Sequence, residues 1–356
     1  MKTSIRHGCR EFFLAAALAS IFAIGPFYSC GDEDGEIFQT VDPCAGRTPV
    51  CDGDTIVGCL AGQETRTPCA SPAYCNFGGC VESEVHLPRD AAPHKNITEW
   101  WYYTGHVSDG VHSWGYQVTI FQALISKASS SFAYMCHVAV SDLVGGVHYH
   151  IDSISVTPTQ VGSDPVLVAV DNCSIQLGGD GHDHIRGIIP EGKEKDHHPG
   201  SWTVELDLVP QKHPAMHGGK GIEEMGTPDN FSYYYSYTRL QASGTVKTSE
   251  GEFGVSGIGW MDHQWGDFNG NAFKGWDWWS MQFDDGYEIM LSQLRDWNNV
   301  VVGGMGTIVD PQGNLTGLAG LDAFGVASKR SWASPHTDGI YPLDWDVTIG
   351  TMNFSV

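Results

Sequence analysis

The sequence lacks the short motifs that identify several large enzyme classes. It contains no G-x-S-x-G turn, no phosphate-binding P-loop, no H-E-x-x-H zinc motif and no G-x-G-x-x-G segment that leads into a helical pattern. It is also poor in basic residues, with 19 lysines and arginines against 42 acidic residues and a formal net charge of −23. A surface this acidic repels phosphate backbones, so we expect no nucleic-acid partner.

Long apolar runs and helical periodicity are also missing after the N-terminal segment. No later stretch approaches the ~18 apolar residues that a membrane-spanning helix needs, and no long 3.6-residue repeat stands out. The composition is nevertheless that of a folded protein, with 41% hydrophobic residues and 44 glycines among 356 residues. The length allows two or more domains.

Residues 1–30 have the pattern of an export signal. A basic start precedes the apolar stretch FFLAAALASIFAIG, which ends before Pro26. FYSC, which ends at Cys30, is similar to a bacterial lipobox with a lipidated cysteine, and the polar residues 31–43 would then form a tether. The alternative is an ordinary cleaved signal peptide. Both predict an exported protein, either secreted or anchored to a membrane as a lipoprotein.

Residues 44–80 predict a small module held together by disulfides, because the stretch has too few large apolar residues for a core of its own. It contains six of the ten cysteines: Cys44, Cys51, Cys59, Cys69, Cys75 and Cys80. Several pairings are open, and the absence of a C-x-x-C pair disfavours zinc. A linker is expected over residues 81–93. Two later cysteines, Cys136 and Cys173, either pair with each other or remain buried thiols.

From Glu99 onward, apolar residues alternate in short runs typical of β-strands. In WTVELDLV, one face carries Trp202, Val204, Leu206 and Leu208. Similar runs recur between Gly, Asp, Asn or Pro clusters: GYQVTIFQAL, AYMCHVAVSD, FSYYYSYTRL and YEIMLSQL. They predict an all-β fold, either a sandwich or a barrel, and a barrel of about eight strands can hold a small apolar ligand.

Histidine-rich runs are candidate metal ligands. They are HYH at 148–150, HDH at 182–184 and DHH at 196–198, and a His-x-His pair on a strand points both rings to one side. The second and third runs lie in polar, glycine-rich or charged surroundings typical of exposed loops. We therefore predict no metal and no cofactor.

The segment WMDHQWGDFNGNAFKGWDWW, residues 260–279, combines five of the twelve tryptophans with three aspartates and a histidine. This mixture suits a binding or catalytic pocket better than a core or a solvated loop. On a strand, Asp262 and Gln264 would share one face, and His263 and Trp265 the other.

The end of this segment follows the same rule. Trp276 and Trp278 would share a face, with Asp277 pointing away. The alternative interpretation assigns these tryptophans, with Trp265, to a seam between two barrels and pairs Asp277 with Arg295.

Five segments in one order resemble the AttH/CrtC-like family: EWWYYTGHV, MCHVAVSD, HGGKG before YYYSYTRL, GWMDHQWGDF and GWDWWSMQFDDGYEIMLSQLR. That family includes carotenoid 1,2-hydratase (hydroxyneurosporene synthase) and kievitone hydratase. The resemblance covers residues 94 to about 345 and implies two lipocalin-like β-barrel domains, at 94–259 and 260–356. It also implies further strands beyond Val356, so the second domain is expected to be incomplete.

The resemblance implies a hydratase or isomerase, a hydro-lyase that acts on a C=C bond of an apolar isoprenoid or polyketide. Such chemistry needs a carboxylic acid kept neutral by burial and aromatic faces, each of which stabilises a carbocation by roughly 2 kcal/mol. The resemblance points to His263 and Trp265 as catalytic residues. Asp262 and Asp277 compete for the role of proton donor.

The predicted substrate-binding residues are Glu99, Trp101, Tyr103, Trp276, Trp278 and Arg239. The alternative function is a non-catalytic lipocalin-like carrier, which needs the tryptophans but has no use for a neutral acid. In both cases the expected partner is a hydrophobic small molecule.

Overall fold

The structure is a computed structural model. It describes residues 49–356 except 53–54, 61–62, 70–72, 77–78, 127, 129–130, 157–159, 164–165, 179–180, 193–199, 228 and 336–337. The predicted export signal with Cys30, the tether, Cys44 and the DHH run at 196–198 lie outside the described residues, as do the side chains of Cys51 and Cys75.

The described residues form β-strands joined by turns, and three short 3₁₀ segments are their only helical elements (Arg89–Ala91, His217–Gly219 and Gly270–Ala272). The strands are β1 (Val50–Asp52), β2 (Thr55–Leu60), β3 (Gln63–Pro68), β4 (Tyr74–Asn76), β5 (Gly79–Val81), β6 (Thr98–Ser108), β7 (Ser113–Ser126), β8 (Ser131–Asp142), β9 (Val147–Ser155), β10 (Gln160–Ser163), β11 (Val166–Val170), β12 (Cys173–Leu177), β13 (Asp183–Ile189), β14 (Trp202–Pro210), β15 (Ala215–Met216), β16 (Ile222–Thr227), β17 (Asn230–Thr248), β18 (Gly251–Gly266), β19 (Gly275–Gln282), β20 (Glu288–Arg295), β21 (Val301–Val309), β22 (Leu315–Ala319), β23 (Gly325–Ala333), β24 (Ile340–Ile349) and β25 (Met352–Ser355). The predicted all-β fold is confirmed. Across this part of the chain, no helix has the length and apolar character needed to cross a membrane.

The cysteine-rich module consists of two small sheets, β1-β2-β3 and β4-β5. A disulfide joins Cys69 to Cys80, and Cys59 is also disulfide-bonded. The side chains of β2 and β3 are half-buried or exposed. Covalent links therefore substitute for an apolar core here, as predicted.

One thirteen-stranded antiparallel sheet contains most of the chain up to residue 266. Its order is β10-β11-β12-β13-β14-β17-β18-β6-β7-β8-β9, and β15 and β16 pair with β17. Strand β18, the last strand of this sheet along the chain, pairs with β6, which is the first. The sheet curls so that β12 and β13 face β7 and β8, and the disulfide Cys136–Cys173 links β8 to β12. Of the two alternatives for these cysteines, the structure therefore shows the pair.

The concave side of this sheet buries the alternating apolar residues. In β14, Trp202, Val204, Leu206 and Leu208 are buried, whereas the residues between them are half-buried or exposed. Burial of each large apolar side chain contributes roughly 1.5–3 kcal/mol, which fixes the register of the strand. Residues 81–266 are called the first β unit below.

Residues 275–356, called the second β unit, form two sheets, β19-β20-β21-β22 and β23-β24-β25. They enclose a core of Trp279, Met281, Ile289, Leu291, Phe324, Val347 and Ile349. The opposite face of the four-stranded sheet packs against the first unit, where Met290 meets Tyr234 and Trp260.

Two predicted boundaries are corrected by the structure. Residues 81–93, predicted as a linker, are packed: Val85 is fully buried, and Trp101 Nε1 donates to the Ala91 carbonyl at 3.2 Å. The boundary at 259/260 falls inside β18, which pairs with β6 and β17 as far as Gly266. Residues 259–266 of this strand are buried on both faces, because one face contacts the core and the other contacts the second unit, so the first unit continues to residue 266.

Candidate functional site

Strand β18 separates the predicted catalytic residues into two environments. His263 and Trp265 contact the core of the first unit, whereas Asp262 contacts side chains at the interface with the second unit. The pleat of a strand requires this alternation, as predicted. All three side chains are buried. They therefore belong to two separate polar groups, which we call the inner cluster and the interface cluster.

The inner cluster is built around the fully buried carboxylate of Glu99. Its Oε1 accepts hydrogen bonds from His94 Nδ1 at 2.7 Å and from His263 Nε2 at 2.8 Å. Its Oε2 accepts from Gln122 Nε2 at 3.1 Å and from the backbone N–H of His94 at 2.7 Å. Both oxygens are thus held by donors, an arrangement that favours the ionised carboxylate.

The pKa values in the inner cluster also favour an ionised Glu99. Burial opposes the charge on Glu99, but hydrogen bonds from the two histidines lower the pKa of its carboxyl group below the usual value. Burial lowers the pKa of His263 in spite of the adjacent carboxylate. Glu99 is therefore a hydrogen-bond acceptor, and it is unsuited to donating a proton to carbon.

Aromatic rings enclose the inner cluster. His94 stacks on Trp265, with ring centroids 4.2 Å apart, and His263 stacks on Trp101 at 4.8 Å. His94, Glu99 and His263 form the group of described residues whose donor atoms, all within 4.8 Å of one another, could hold a metal ion. In the structure these donor atoms bond to one another.

The histidine-rich runs at 148–150 and 182–184 lie outside the inner cluster. His148 and His150 lie on β9 with ring centroids 5.7 Å apart, and His184 bonds to Asp207 at 2.9 Å. Neither run belongs to the group of described residues whose donor atoms could hold a metal ion.

The interface cluster is built around Asp262, which is 3% exposed. Its Oδ1 accepts hydrogen bonds from the Tyr234 hydroxyl at 2.8 Å, from Trp260 Nε1 at 2.9 Å and from the Ser236 hydroxyl. Burial raises the pKa of Asp262 to about 6, although these three donors favour the charged form. The carboxyl group therefore changes its charge close to neutral pH.

A polar chain continues from this carboxyl group across the interface. Ser236 Oγ lies 2.7 Å from His217 Nε2, and His217 Nδ1 lies 2.9 Å from the hydroxyl of Thr307 in the second unit. Burial lowers the pKa of His217 to about 3, so the imidazole is neutral at pH 7. Tyr234 accepts a hydrogen bond from Trp278 Nε1 at 3.0 Å, which ties the second unit to the same chain.

Glu223 on β16 is a second buried acid at the interface, and it is not among the predicted site residues. Its carboxylate accepts from Gln264 Nε2 at 2.7 Å and is also hydrogen-bonded to Ser292. Burial, supported by the negative charge of Asp262, raises the pKa of Glu223 to about 7. A signal was present: in IEEMGT, Glu223 shares a strand face with buried Met225, as a buried acid would.

A cavity of ≈ 590 Å³, called the interface cavity, opens between the two units. Its walls come from the 217–220 turn and β16 on one side and from β20, β21 and β22 on the other. A narrow cleft lined by Trp276, Trp278 and Tyr234 adjoins it, and both are lined by Glu223 and Ser292. The volume lies within the range of about 300–1,000 Å³ that is usual for small-molecule sites.

The structure divides the predicted substrate-binding residues. Trp276 and Trp278 line the cleft beside the interface cavity. Glu99, Trp101 and Tyr103 instead lie in the interior of the first unit, where the Tyr103 hydroxyl donates to Asp183 at 2.6 Å. These three residues point away from the cavity because they occupy the same face of β6 as the core residues.

Two further predicted residues have structural partners. Arg239 Nε donates to Glu288 at 2.5 Å, and Lys212 Nζ donates to the same carboxylate at 2.6 Å. Asp277 pairs with Arg295 at 3.0 Å, as the alternative interpretation predicted, and burial raises the pKa of its carboxyl group. Neither Arg239 nor Asp277 lines the cavity or the cleft, which corrects the prediction for both.

Comparison with known proteins identifies relatives of this architecture. The family model described as AttH-like matches residues 81–356. An AttH protein from Nitrosomonas europaea is similar in structure, with a TM-score of 0.65 and 25% identity over 76% of this chain and 83% of that chain. Kievitone hydratase from Nectria haematococca is similar with a TM-score of 0.60 and 14% identity over 77% of this chain and 82% of that chain. No curated protein sequence matches the chain.

Proposed function

Since the chain belongs to the AttH-like family, whose model matches residues 81–356, we propose that it is a hydratase. It would add water to a C=C bond of an apolar small molecule bound in the interface cavity. The observation that carries this proposal is Glu223, a buried acid in the wall of that cavity with a pKa of about 7. The fold shared with a kievitone hydratase supports water addition as the type of reaction.

The first chemical step is protonation of carbon. At neutral pH Glu223 holds its proton in about half of the molecules, whereas an exposed glutamate has lost it. Trp100, Trp276 and Trp278 line the cleft that adjoins this carboxyl group. Their faces would stabilise the carbocation by roughly 2 kcal/mol each when desolvated. The donor and the aromatic rings thus lie together, as acid-catalysed hydration requires.

The second step is attack by water. Tyr234 lines the same cleft and donates its hydroxyl proton to Asp262. As the water oxygen bonds to the carbocation, its proton would pass to Tyr234 and the phenolic proton would pass to Asp262. The pKa of Asp262, about 6, lies below that of Glu223, about 7. Since burial raises both pKa values toward neutral pH, each carboxyl group can hold or accept a proton there.

The steps balance without a cofactor. The alkene gains a proton from Glu223 and a hydroxyl group from water, and the second proton of water reaches Asp262. Proton return to Glu223 closes the cycle and yields an alcohol. From the family resemblance, we propose an isoprenoid or a polyketide as the source of the alkene.

We propose that the protein acts after export. The disulfides Cys69–Cys80 and Cys136–Cys173 support an oxidising compartment. A lipid on Cys30 would hold the folded units at a membrane surface. Intact-mass analysis of the protein isolated from its native host tests this: a diacylglyceryl-modified N-terminal cysteine supports the anchor, and an unmodified N-terminus contradicts it.

The proposed function is tested with the full chain and an apolar extract incubated in H₂¹⁸O. We expect mass spectrometry to detect an alcohol that carries one ¹⁸O, and Glu223→Gln to abolish the label while the variant still binds the alkene. Exposed Glu252→Gln serves as the matched control and keeps the activity. A ligand that binds and is released without label would contradict the hydratase and support the carrier.

A further inference from the structure

One end of the interface cavity is lined by backbone with few side chains. Strand register places Met305 opposite Ala319 and Thr307 opposite Gly317. Residues directly opposite each other share a face of the sheet, and Gly303 lies two residues before Met305 on the same face. Toward β21 and β22, the cavity face of the four-stranded sheet is therefore formed by Gly303, Gly317 and Ala319, with Met305 as the large side chain among them.

Backbone conformation does not require these two glycines. Neither Gly303 nor Gly317 has a φ angle in the left-handed region. A Cβ on Gly303 would meet the Leu294 side chain at an ordinary 3.5 Å, and a Cβ on Gly317 would meet no atom within 4 Å. A glycine inside a regular element destabilises it by roughly 0.5–1 kcal/mol relative to alanine. What these glycines supply is close access to the backbone.

The neighbouring glycine on β21 is a useful contrast. Gly306 lies on the opposite face, toward the core of the second unit, where a Cβ would approach Leu291 Cδ2 to 2.7 Å. Packing explains that glycine. It does not explain Gly303 or Gly317, which face the open cavity.

The opposite wall of the cavity also contains a pair of glycines, beside the side chains of Lys220, Ile222 and Glu224. The turn at Gly218 and Gly219 lines it, with φ angles of +62° and +81°. A Cβ on Gly219 would meet nothing within 4 Å, and one on Gly218 would only reach Met305 Sδ at 4.0 Å. Across this end of the cavity, the glycine turn therefore faces the Met305 side chain and the glycines of β21 and β22.

The same face of the sheet ends in aromatic side chains on β19. Trp276 pairs with Leu294, and Trp278 pairs with Ser292, so their side chains point toward the cavity. From β19 to β22 the face spans three strand spacings, or about 14 Å. A surface of this kind contacts a broad, thin molecule over its whole area.

We propose that the interface cavity binds a flat, rigid ring compound that lies against Gly303, Gly317 and Ala319 of β21 and β22. A rigid ring loses little conformational entropy on binding, whereas a flexible chain of equal size loses more. The proposal adds a substrate class to the proposed function and rests on that function only for the reaction.

The experiment measures binding by the full chain in equilibrium dialysis against phenanthren-9-ol and tetradecan-1-ol. These probes have the same number of carbons and one hydroxyl group each, but only the first is flat and rigid. We expect the ring compound to bind at least tenfold more tightly. Equal affinity, or tighter binding of the alkyl chain, would overturn the proposal.

Substitutions locate the binding surface. Gly317→Val should weaken binding of phenanthren-9-ol at least tenfold without lowering the urea midpoint of unfolding. Gly325→Val on β23 is the matched control: a Cβ there also meets no atom within 4 Å, but the residue does not line the cavity. If Gly317→Val binds the probe like the wild type, the proposal fails. If the proposed function fails but this proposal holds, the protein will bind the probe normally and will incorporate no ¹⁸O into any alkene.

Discussion

Replacement of Glu223 by glutamine removes the acid but preserves the shape of the side chain. The amide oxygen of the introduced glutamine can still accept the hydrogen bond from Gln264, whose Nε2 is 2.7 Å from the native carboxylate. The variant therefore isolates the ionisation of a single buried group. We expect a loss of hydration activity of at least 10²-fold, the usual contribution of a positioned acid, together with a change in how stability depends on pH.

The direction and size of that change follow from the pKa of Glu223, which burial raises from 4.5 to about 7. Between these pH values the folded protein keeps the proton and the unfolded chain has lost it, so the free energy of unfolding decreases as pH rises. Each pH unit removes about 1.4 kcal/mol. The full window removes about 3 kcal/mol, and no further loss from this group occurs above pH 7.

Two other buried groups contribute their own pH dependence. The raised pKa of Asp262 acts in the same direction between about pH 4 and 6. The lowered pKa of His217 acts in the opposite direction, because below pH 6.5 the unfolded chain binds a proton that the folded protein excludes. Comparison of the variant with the wild type at each pH cancels the contribution of His217 and leaves that of Glu223 together with its coupling to Asp262.

The assay is urea unfolding of the wild type and Glu223→Gln at half-unit steps from pH 4.5 to 8, followed by tryptophan fluorescence. We expect the stability of the variant relative to the wild type to increase by about 3 kcal/mol across the window. Glu252→Gln, an exposed acid on β18, should show no such trend. A constant difference between Glu223→Gln and the wild type would refute both the buried neutral acid and the mechanism built on it.

Three further variants test other parts of the structure. Tyr234→Phe should reduce hydration by about 10²–10⁴-fold in steady-state assays, because it removes the hydroxyl that relays the proton of water; activity within twofold of the wild type would exclude the relay. Glu288→Ala should lower the free energy of unfolding by about 3–5 kcal/mol, since it leaves a buried lysine and a largely buried arginine without their carboxylate; a loss below 1 kcal/mol in urea unfolding would contradict this. Replacement of Cys136 and Cys173 by alanine should lower the free energy of unfolding by about 3–4 kcal/mol, because the disulfide closes a loop of 37 residues. Calorimetry without reductant should therefore show a lower melting temperature for the variant. An unchanged melting temperature would contradict the disulfide.

Periodicity was sufficient to predict the strands and their faces. The alternation in WTVELDLV placed Trp202 and Leu208 on the buried face, where the structure shows them. The same rule placed His263 and Asp262 on opposite faces of β18. These inferences succeed because the pleat of a strand is a local property of the backbone, and it holds wherever the strand packs.

Composition also predicted that residues 44–80 need disulfides, but sequence reasoning could not assemble the site. Glu99 and His263 are 164 residues apart and are joined only because β18 pairs with β6. Gln264 and Glu223 are 41 residues apart and meet through β17. For this reason the predicted site combined residues from two different faces of the sheet and omitted Glu223.

The amino-acid sequence by itself determined that the chain forms short amphipathic strands, and it determined which side chains share each strand face. Only the tertiary structure decided which of those faces became the core of the first unit and which became a cavity wall. The physical reason is that both faces of β18 carry apolar and polar side chains in sequence, so the pattern alone does not distinguish them. Burial against the second unit, which raises the pKa of Asp262 and Glu223, exists only after the two units have packed.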